Sequence, residues 1–540
     1  MKIRTLVQAL ALATPLLAST LQAANLAEVV SKGEREQAFL MLDNGSEVDA
    51  LLADQSSALL YAAYQGDTEL AKVLLDAGAD PGLRNRYGAF PLSEAAQIDA
   101  HEIVALLLEH GADPNQGNLE HETALMVAAR SGSLESAKLL LEHGAEVNAR
   151  EGWGGQSAVM WAAAQSQPAM LELLIKHGAD VNLHGDARLW DRRTLNEPRP
   201  KDMNKGGFSP LLYAAREGCT TCIPILAKAG ADLWAADPDG TSALNLALIN
   251  LHFETAMALI DAGADVNQWD LFGRAPLYNA IDMNTLPTGG RPDIPSEDSV
   301  TPLDVAKVLL DKGANPNMQL KVRPPYRNAV FDRGSDNPLS EGATPLLRAA
   351  RAADNAAVQL LLEHGALVDL PNARGHTPLL AVSGIDWAAE PTRGRYKSEE
   401  DSIETIRLLL EHGADINALT GDPAKRPVSE TTDSERDAAG LGRRTGNRTI
   451  DGQNALHAAA RVGWLQIAQF LIDNGIAQEV ADSSGRTPFD LAMGRYPLGF
   501  LQPPTQPMLP VARLLQDNCE ATDGCTIKEP LEAEQLRAKN

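Results

Sequence analysis

"AKVLLDAGAD", residues 71–80, returns along the chain with small changes. It reappears as "VALLLEHGAD" (104–113), "AKLLLEHGAE" (137–146), "LELLIKHGAD" (171–180) and "IPILAKAGAD" (223–232). Further copies are "AMALIDAGAD" (256–265), "AKVLLDKGAN" (306–315), "VQLLLEHGAL" (358–367) and "IRLLLEHGAD" (406–415). A second phrase precedes most of them: "ALLYAAYQGD" (58–67), "ALMVAARSGS" (124–133), "PLLYAAREGC" (210–219) and "ALHAAARVGW" (455–464). A fixed period marks a chain built from stacked supersecondary units. Two glycines keep a twelve-residue spacing in several copies, as in Gly66 and Gly78, Gly132 and Gly144, Gly218 and Gly230, and Gly463 and Gly475. Each period therefore reads as two short helices. The first is alanine-rich, so that neighbours approach closely, and the second carries a leucine stripe. The glycine ending the second helix suits a left-handed cap, and the Asp-x-Asn after it makes a turn. No single copy buries a core, but stacked copies share one.

Three openings, "GATPLLRAA" (342–350), "GHTPLLAV" (375–382) and "GRTPFDLA" (485–492), complete the pattern. With the leucine phrase they resemble the ankyrin repeat, whose period is about 33 residues. The resemblance spans roughly residues 26–517, with eleven recognisable repeats and a degenerate one at 27–50. It implies an all-α solenoid of about 11–12 helix-turn-helix repeats. It also implies protein partners, bound through inter-repeat fingers and inner helices on one extended concave face.

The first 24 residues, "MKIRTLVQALALATPLLASTLQAA", place Lys2 and Arg4 before an apolar stretch from Leu6 to Ala18 and small residues at Ala23 and Ala24. That is the form of a cleavable secretory signal. Residues 1–23 are expected to leave, giving a periplasmic or secreted protein. The stretch is shorter than the ~20 residues a membrane span needs, so no membrane insertion is expected. Net charge is −25, and loss of Lys2 and Arg4 makes it −27. Nucleic acid and anionic lipid need clustered Lys and Arg, and this balance argues against both. Oligomeric state is not encoded in any pattern found.

Several motifs invite a chemical reading and lose it in context. His110, His143, His177, His364 and His412 share one position, just before the glycine of the second helix. A row of cations at helix C-termini is mildly favourable there, which makes them capping groups rather than metal ligands. "HETAL" (121–125) lacks the second histidine of a zinc protease helix. "GLGRRTG" (440–446) follows no strand, so it is no dinucleotide loop. No catalytic residue, metal site or cofactor is implied.

The cysteines number four. Cys219 and Cys222 fall at the start of a second helix, where Cα atoms three apart come within disulfide range. Ile223 follows Cys222, so a haem attachment sequence is excluded. Export favours a structural disulfide there, with free thiols or a metal site, and then a redox-active dithiol, as the alternatives. In a continuous stack about six repeats, each roughly 9 Å thick, separate this pair from Cys519 and Cys525, which leaves those two to pair with each other.

Five insertions interrupt the array. Three, at 184–205, 318–341 and 422–451, fall in turns between repeats, and two, at 284–301 and 385–400, fall between helices of one repeat. The array occupies 24–517 and a tail 518–540. The three inter-repeat insertions sum to +3 against the acidic chain, and 422–451 has the composition of a mobile linker. Trp190, Tyr326, Phe331, Trp387 and Tyr396 lie beside Arg192, Arg193, Arg327, Arg393 and Arg395. Aromatics and arginines dominate protein interfaces, so these ten are the candidate partner-binding residues. The expected function is a non-catalytic exported scaffold. The alternatives are a thiol–disulfide catalyst at Cys219 and Cys222, or a secreted effector.

Overall fold

The computed structural model describes residues 25–188, 205–285, 296, 298–322, 339, 341–385, 398–421, 451–495, 507–521, 527 and 531. These form two compact units, 25–188 with 205–238, and the described residues from 239 onward. Among the described residues each unit holds six helix pairs.

In the first unit the leading helices are α1 (Leu26–Ser31), α3 (Ala58–Gln65), α5 (Pro91–Gln97), α7 (Ala124–Ser131), α9 (Ala158–Ala164) and α11 (Pro210–Glu217). Their followers are α2 (Arg35–Asp43), α4 (Thr68–Asp76), α6 (His101–Glu109), α8 (Leu134–Glu142), α10 (Pro168–Lys176) and α12 (Cys222–Lys228). In the second unit the leaders are α13 (Ala243–Ile249), α15 (Pro276–Asn284), α17 (Pro345–Arg351), α19 (Pro378–Val382), α21 (Ala455–Val462) and α23 (Pro488–Ala492). The followers are α14 (Phe253–Ala262), α16 (Pro302–Asp311), α18 (Asn355–Glu363), α20 (Glu399–Glu411), α22 (Leu465–Asp473) and α24 (Leu509–Glu520). Helix α24 ends at Glu520, so the tail expected from 518 begins inside it, and Cys519 belongs to the helix.

Leader stacks on leader and follower on follower within each unit. The alanines make this close approach. Ala62, Ala63, Ala95, Ala96, Ala128, Ala129, Ala162 and Ala163 are all fully buried. Most leaders begin on side-chain caps, with Ser57 Oγ accepting from Leu60 N at 3.1 Å and Thr344 Oγ1 from Leu347 N at 3.0 Å. Proline then occupies the first turn of α5, α11, α15, α17, α19 and α23, where its missing N–H has no helical partner to lose.

Leaders end on a left-handed residue, such as Gly66 at φ 70°. Four repeats lack that glycine, and Asp99, Ser166, Leu251 and Ala353 take positive φ in its place. Asp99 offsets its strain, because its Oδ1 accepts from Ser136 N at 3.1 Å and Ser136 Oγ at 2.8 Å in the next pair.

The asparagine of the Asp-x-Asn turn does more than turn the chain. Asn115 Nδ2 donates to Gly144 O at 3.1 Å, and its Oδ1 accepts from Glu146 N at 2.7 Å. Asn148 makes the same two bonds to Gly178 and Asp180. Each pair is thus clipped to the next by one amide, the donor bonds spanning 29 and 30 residues here. The clips also hold where sequence is inserted. Asn182 reaches Gly230 across 48 residues, Asn267 reaches Gly313 across 46, and Asn317 reaches Gly365 across 48. Asp369 accepts from Asp415 N across 46 residues, and Asn417 from Ala477 N across 60. All five insertions leave the stacking register of their own unit intact.

Candidate protein-binding surface

The ten aromatic and arginine residues expected to bind partners, Trp190, Arg192, Arg193, Tyr326, Arg327, Phe331, Trp387, Arg393, Arg395 and Tyr396, lie outside the described residues. The near end of the first insertion is described. Ala187 and Gly206 form an antiparallel bridge, and Arg188 N donates to Lys205 O at 2.6 Å. Arg188 lies 4.2 Å over the Trp153 ring and donates to Trp153 O.

Trp153 is one of three large side chains held out to solvent on consecutive turns of the first unit. Tyr87, Leu119 and Trp153 are 75, 65 and 66% exposed. Each turn is built around one inward-folded acceptor. Asn85 Oδ1 accepts from Tyr87 N at 3.0 Å and Ala89 N at 2.9 Å. Asn118 Oδ1 takes Glu120 N and Glu122 N, both at 2.9 Å. Glu151 takes Trp153 N at 2.5 Å, Gly154 N at 2.8 Å and Gln156 N at 2.9 Å. Main-chain bonds link turn to turn, Arg86 N to Asp54 O and Gly152 N to Glu120 O, each at 2.7 Å. At Gly88 a Cβ would stand 2.9 Å from Leu119 Cγ, so only glycine lets these two tips pack. The tips are therefore rigid before any partner arrives, and rigid anchors lose little entropy on binding.

The leading helices add to this surface. Four residues after the cap, α3 carries Tyr61, α5 Glu94 and α9 Trp161, all partly exposed, whereas Val127 on α7 and Tyr213 on α11 are buried. Tyr64 is 63% exposed one turn on from Tyr61. Arg130 lies 5.2 Å over the Trp161 ring and pairs with Glu122 at 2.5 Å. Arg216 lies 5.0 Å from Tyr213 and 5.3 Å from Phe208. Glu94 is half-buried, and that burial pushes its carboxyl above the usual range.

In the second unit the same position carries buried polar side chains. Asn279 and Arg348 are buried. Arg348 Nε pairs with the fully buried Asp282, and Asn279 Nδ2 donates to Asn245 Oδ1 at 2.8 Å. Arg351 Nη1 donates to Ala381 O at 3.1 Å and Ile385 O at 2.9 Å.

Cys219 and Cys222 are joined by a disulfide with Cα atoms 5.3 Å apart. Cys222 is the first residue of α12 with Thr221 as cap, and Cys219 stands just before the helix. Both sulfur residues are buried, at 5 and 0% exposure. Cys519 is disulfide-bonded as well, and Cys525 lies outside the described residues.

Of the five repeated histidines, His110, His143, His364 and His412 place Nδ1 2.8 Å from the carbonyl four residues back. Asn44 and Asn474 do the same from their Nδ2 atoms. The position is thus a hydrogen-bonding cap that asparagine fills equally well, more than a charge on the helix dipole. Among the described residues no group of histidine, cysteine and carboxylate side chains is placed to hold a metal ion.

Profiles of ankyrin repeats match residues 26–118, 113–185, 211–320, 341–373 and 451–482, more than half of the chain. The chain belongs to the ankyrin repeat family. Among its relatives is the ankyrin repeat protein YahD of Escherichia coli (strain K12), 31% identical over 178 residues, covering 31% of this chain and 85% of YahD. The mouse B-cell lymphoma 3 protein homolog is 29% identical over 319 residues, covering 54% of this chain and 58% of that protein. Human Neurogenic locus notch homolog protein 2 is 28% identical over 214 residues, 39% of this ankyrin chain but only 7% of its own length. The crystal structure of the human ASB11 ankyrin repeat domain superposes with a TM-score of 0.37 at 24% identity, covering 45% of this chain and 99% of that one.

The sequence reading missed Tyr87, Leu119 and Trp153 because it sought aromatics in the insertions. A signal was available: "NRY" (85–87), "NL" (118–119) and "EGW" (151–153) each put a large side chain just after an acceptor in the repeat turn.

Proposed function

We propose that this chain is an exported, non-catalytic ankyrin scaffold that holds a protein partner on the first unit. One observation carries the reading: Tyr87, Leu119 and Trp153 are fixed outward on adjoining, internally hydrogen-bonded turns. Aromatic anchors on a rigid frame are what protein interfaces use for most of their energy. Export rests on the signal-like residues 1–23 and on cysteines that sit in an oxidised pair, which reducing compartments disfavour. Among the described residues no helix is long and apolar enough to cross a membrane.

The redox alternative is weakened by burial. Exchange needs a thiolate to reach a sulfur, and Cys219 and Cys222 are both closed to solvent. We read their bond as a staple at the start of α12.

The test uses the full mature chain as bait in a periplasmic extract, beside a variant with Tyr87→Ala, Leu119→Ala and Trp153→Ala. Wild type retains a partner, and the variant loses it with unchanged helicity and melting. Equal retention by both would move the interface elsewhere. A reporter active only outside the cytosol, fused after residue 30, reads the export half independently.

A further inference from the structure

On the leading helices of the first unit, Glu94 is a partly buried charge with no ion-pair partner among the described residues. Glu94 stands four residues after the cap of α5, in line with Tyr61 on α3 and Trp161 on α9, which flank α5 and α7 in the stack. Arg130, on the next leader in the stack, is already paired with Glu122. Among the described residues no side-chain hydrogen bond or ion pair reaches the Glu94 carboxyl, and burial is the sole cause of its raised pKa. A half-buried, unpaired carboxylate costs stability unless something else requires it. Apolar surface open to solvent lies on the same two leaders, Tyr64 of α3 at 63% exposure and Ile98, four residues on from Glu94, at 49%. Ile98 Cδ1 comes within 3.4 Å of the Cβ position at Gly66, so the α3 and α5 ends meet there.

We propose that Glu94 is the acidic anchor of the binding face, and that the partner seats a lysine or arginine side chain on it. The methylene stem of such a residue packs along Tyr61, Tyr64 and Ile98, and its cationic head meets the carboxylate. Charge complementarity argues for this occupant over the others. The chain carries −25, which draws a basic partner toward it before contact. The anchor is already partly desolvated, so less remains to be lost on binding. An acidic partner would bring a second unpaired charge beside the first. The partner is thus a basic surface or segment with apolar residues beside its cation, the latter placed to meet Tyr87, Leu119 and Trp153.

This assignment rests on the first unit being the binding face, and the experiment separates the two. A randomised peptide display library is selected on the full mature chain, and in parallel on Glu94→Lys and on the Tyr87→Ala, Leu119→Ala, Trp153→Ala variant. Wild type should enrich peptides with Lys or Arg at one fixed position beside apolar residues. Glu94→Lys should enrich Asp or Glu at that position. A synthetic copy of the enriched peptide should bind Glu94→Gln about tenfold more weakly or worse, the loss expected for one charged pair. Peptides that need the three tip residues but show no basic preference would overturn the anchor and leave the face standing. So would a basic preference that survives Glu94→Gln. Enrichment that is identical on the tip variant would overturn the face, and the anchor with it.

Discussion

Trp161 and Arg348 occupy the same place in their repeats, four residues after the cap of a leading helix. In the first unit that place is partly open at Tyr61, Glu94 and Trp161 and closed at Val127 and Tyr213, and Arg130 lies over the Trp161 ring. In the second it is sealed, and Arg348 is paired to Asp282 on the preceding leader. The backbone plan is common to both, so the fold alone does not decide whether this row serves a partner or the protein itself. Side chains decide it. Tyr61, Glu94 and Trp161 leave the row open, whereas Asn245, Asn279, Asp282, Arg348 and Arg351 tie successive leaders together. The second unit is also where four of the five insertions fall, and polar ties of fixed geometry favour one register over its neighbours.

The largest expected effect breaks that tie. Arg348→Ala leaves the Asp282 carboxylate buried without its counter-ion and should cost about 3–5 kcal/mol. Urea unfolding followed by helical signal reads the loss. Replacing both partners, with Asp282→Leu and Arg348→Met, should recover most of it. A single mutant as stable as wild type would show the pair is not sealed.

The next effect is a pH dependence confined to the second unit. His457 is buried in α21, its Nδ1 2.7 Å from Asn454 Oδ1 and its Nε2 3.1 Å from Arg486 O. Burial holds its pKa at about 4, below the ordinary 6.5. The unfolded chain therefore takes up the proton first as pH falls. Stability should be full above pH 6.5 and decline between 6.5 and about 4, by up to about 3 kcal/mol. His457→Gln should flatten that part of the profile, and an unchanged slope would assign it to other groups.

Smaller still is the clip across the first insertion. Asn182→Ala removes bonds to Gly230 O at 3.0 Å and from Asp232 N at 2.7 Å, and should cost about 1 kcal/mol. Asn148→Ala, between repeats joined directly, should cost the same. A much cheaper Asn182→Ala would mean that the insertion carries the register by other contacts.

The smallest effect sharpens the contrast from the open side. Glu94→Ala removes a charge from the position where Arg348 is indispensable, yet stability should hold or rise by up to about 0.5 kcal/mol, because half-burying an unpaired carboxylate is unfavourable. A large loss would mean that Glu94 has a structural partner and would count against its role as an anchor.

The repeat architecture was legible because it rests on spacing. Twelve residues from Gly66 to Gly78 and the leucine stripe between them fix two helices and a cap, a pattern that several copies repeat. Paired exposure was not legible. "PLLYAAR" (210–216) and "PLLRAAR" (345–351) differ at one residue, Tyr213 against Arg348, and nothing local says that Arg348 is buried as half of an ion pair. That depends on Asp282, 66 residues away. The tip residues were hidden for another reason. Tyr87 and Trp153 look ordinary until Asn85 and Glu151 are seen folding back to harden the turns beneath them.

The amide clips have a consequence for how such a chain can change. Asn182 closes a gap of 48 residues with the same two bonds that Asn148 uses over a gap of about 30. Loop length is thereby uncoupled from architecture, since lengthening a loop costs only slowly growing closure entropy. Lineages of this protein can lengthen, trim or exchange whole loops at these five places while each repeat keeps its neighbour. The chain works like a rack with standard fittings, and novelty can be hung on it one shelf at a time.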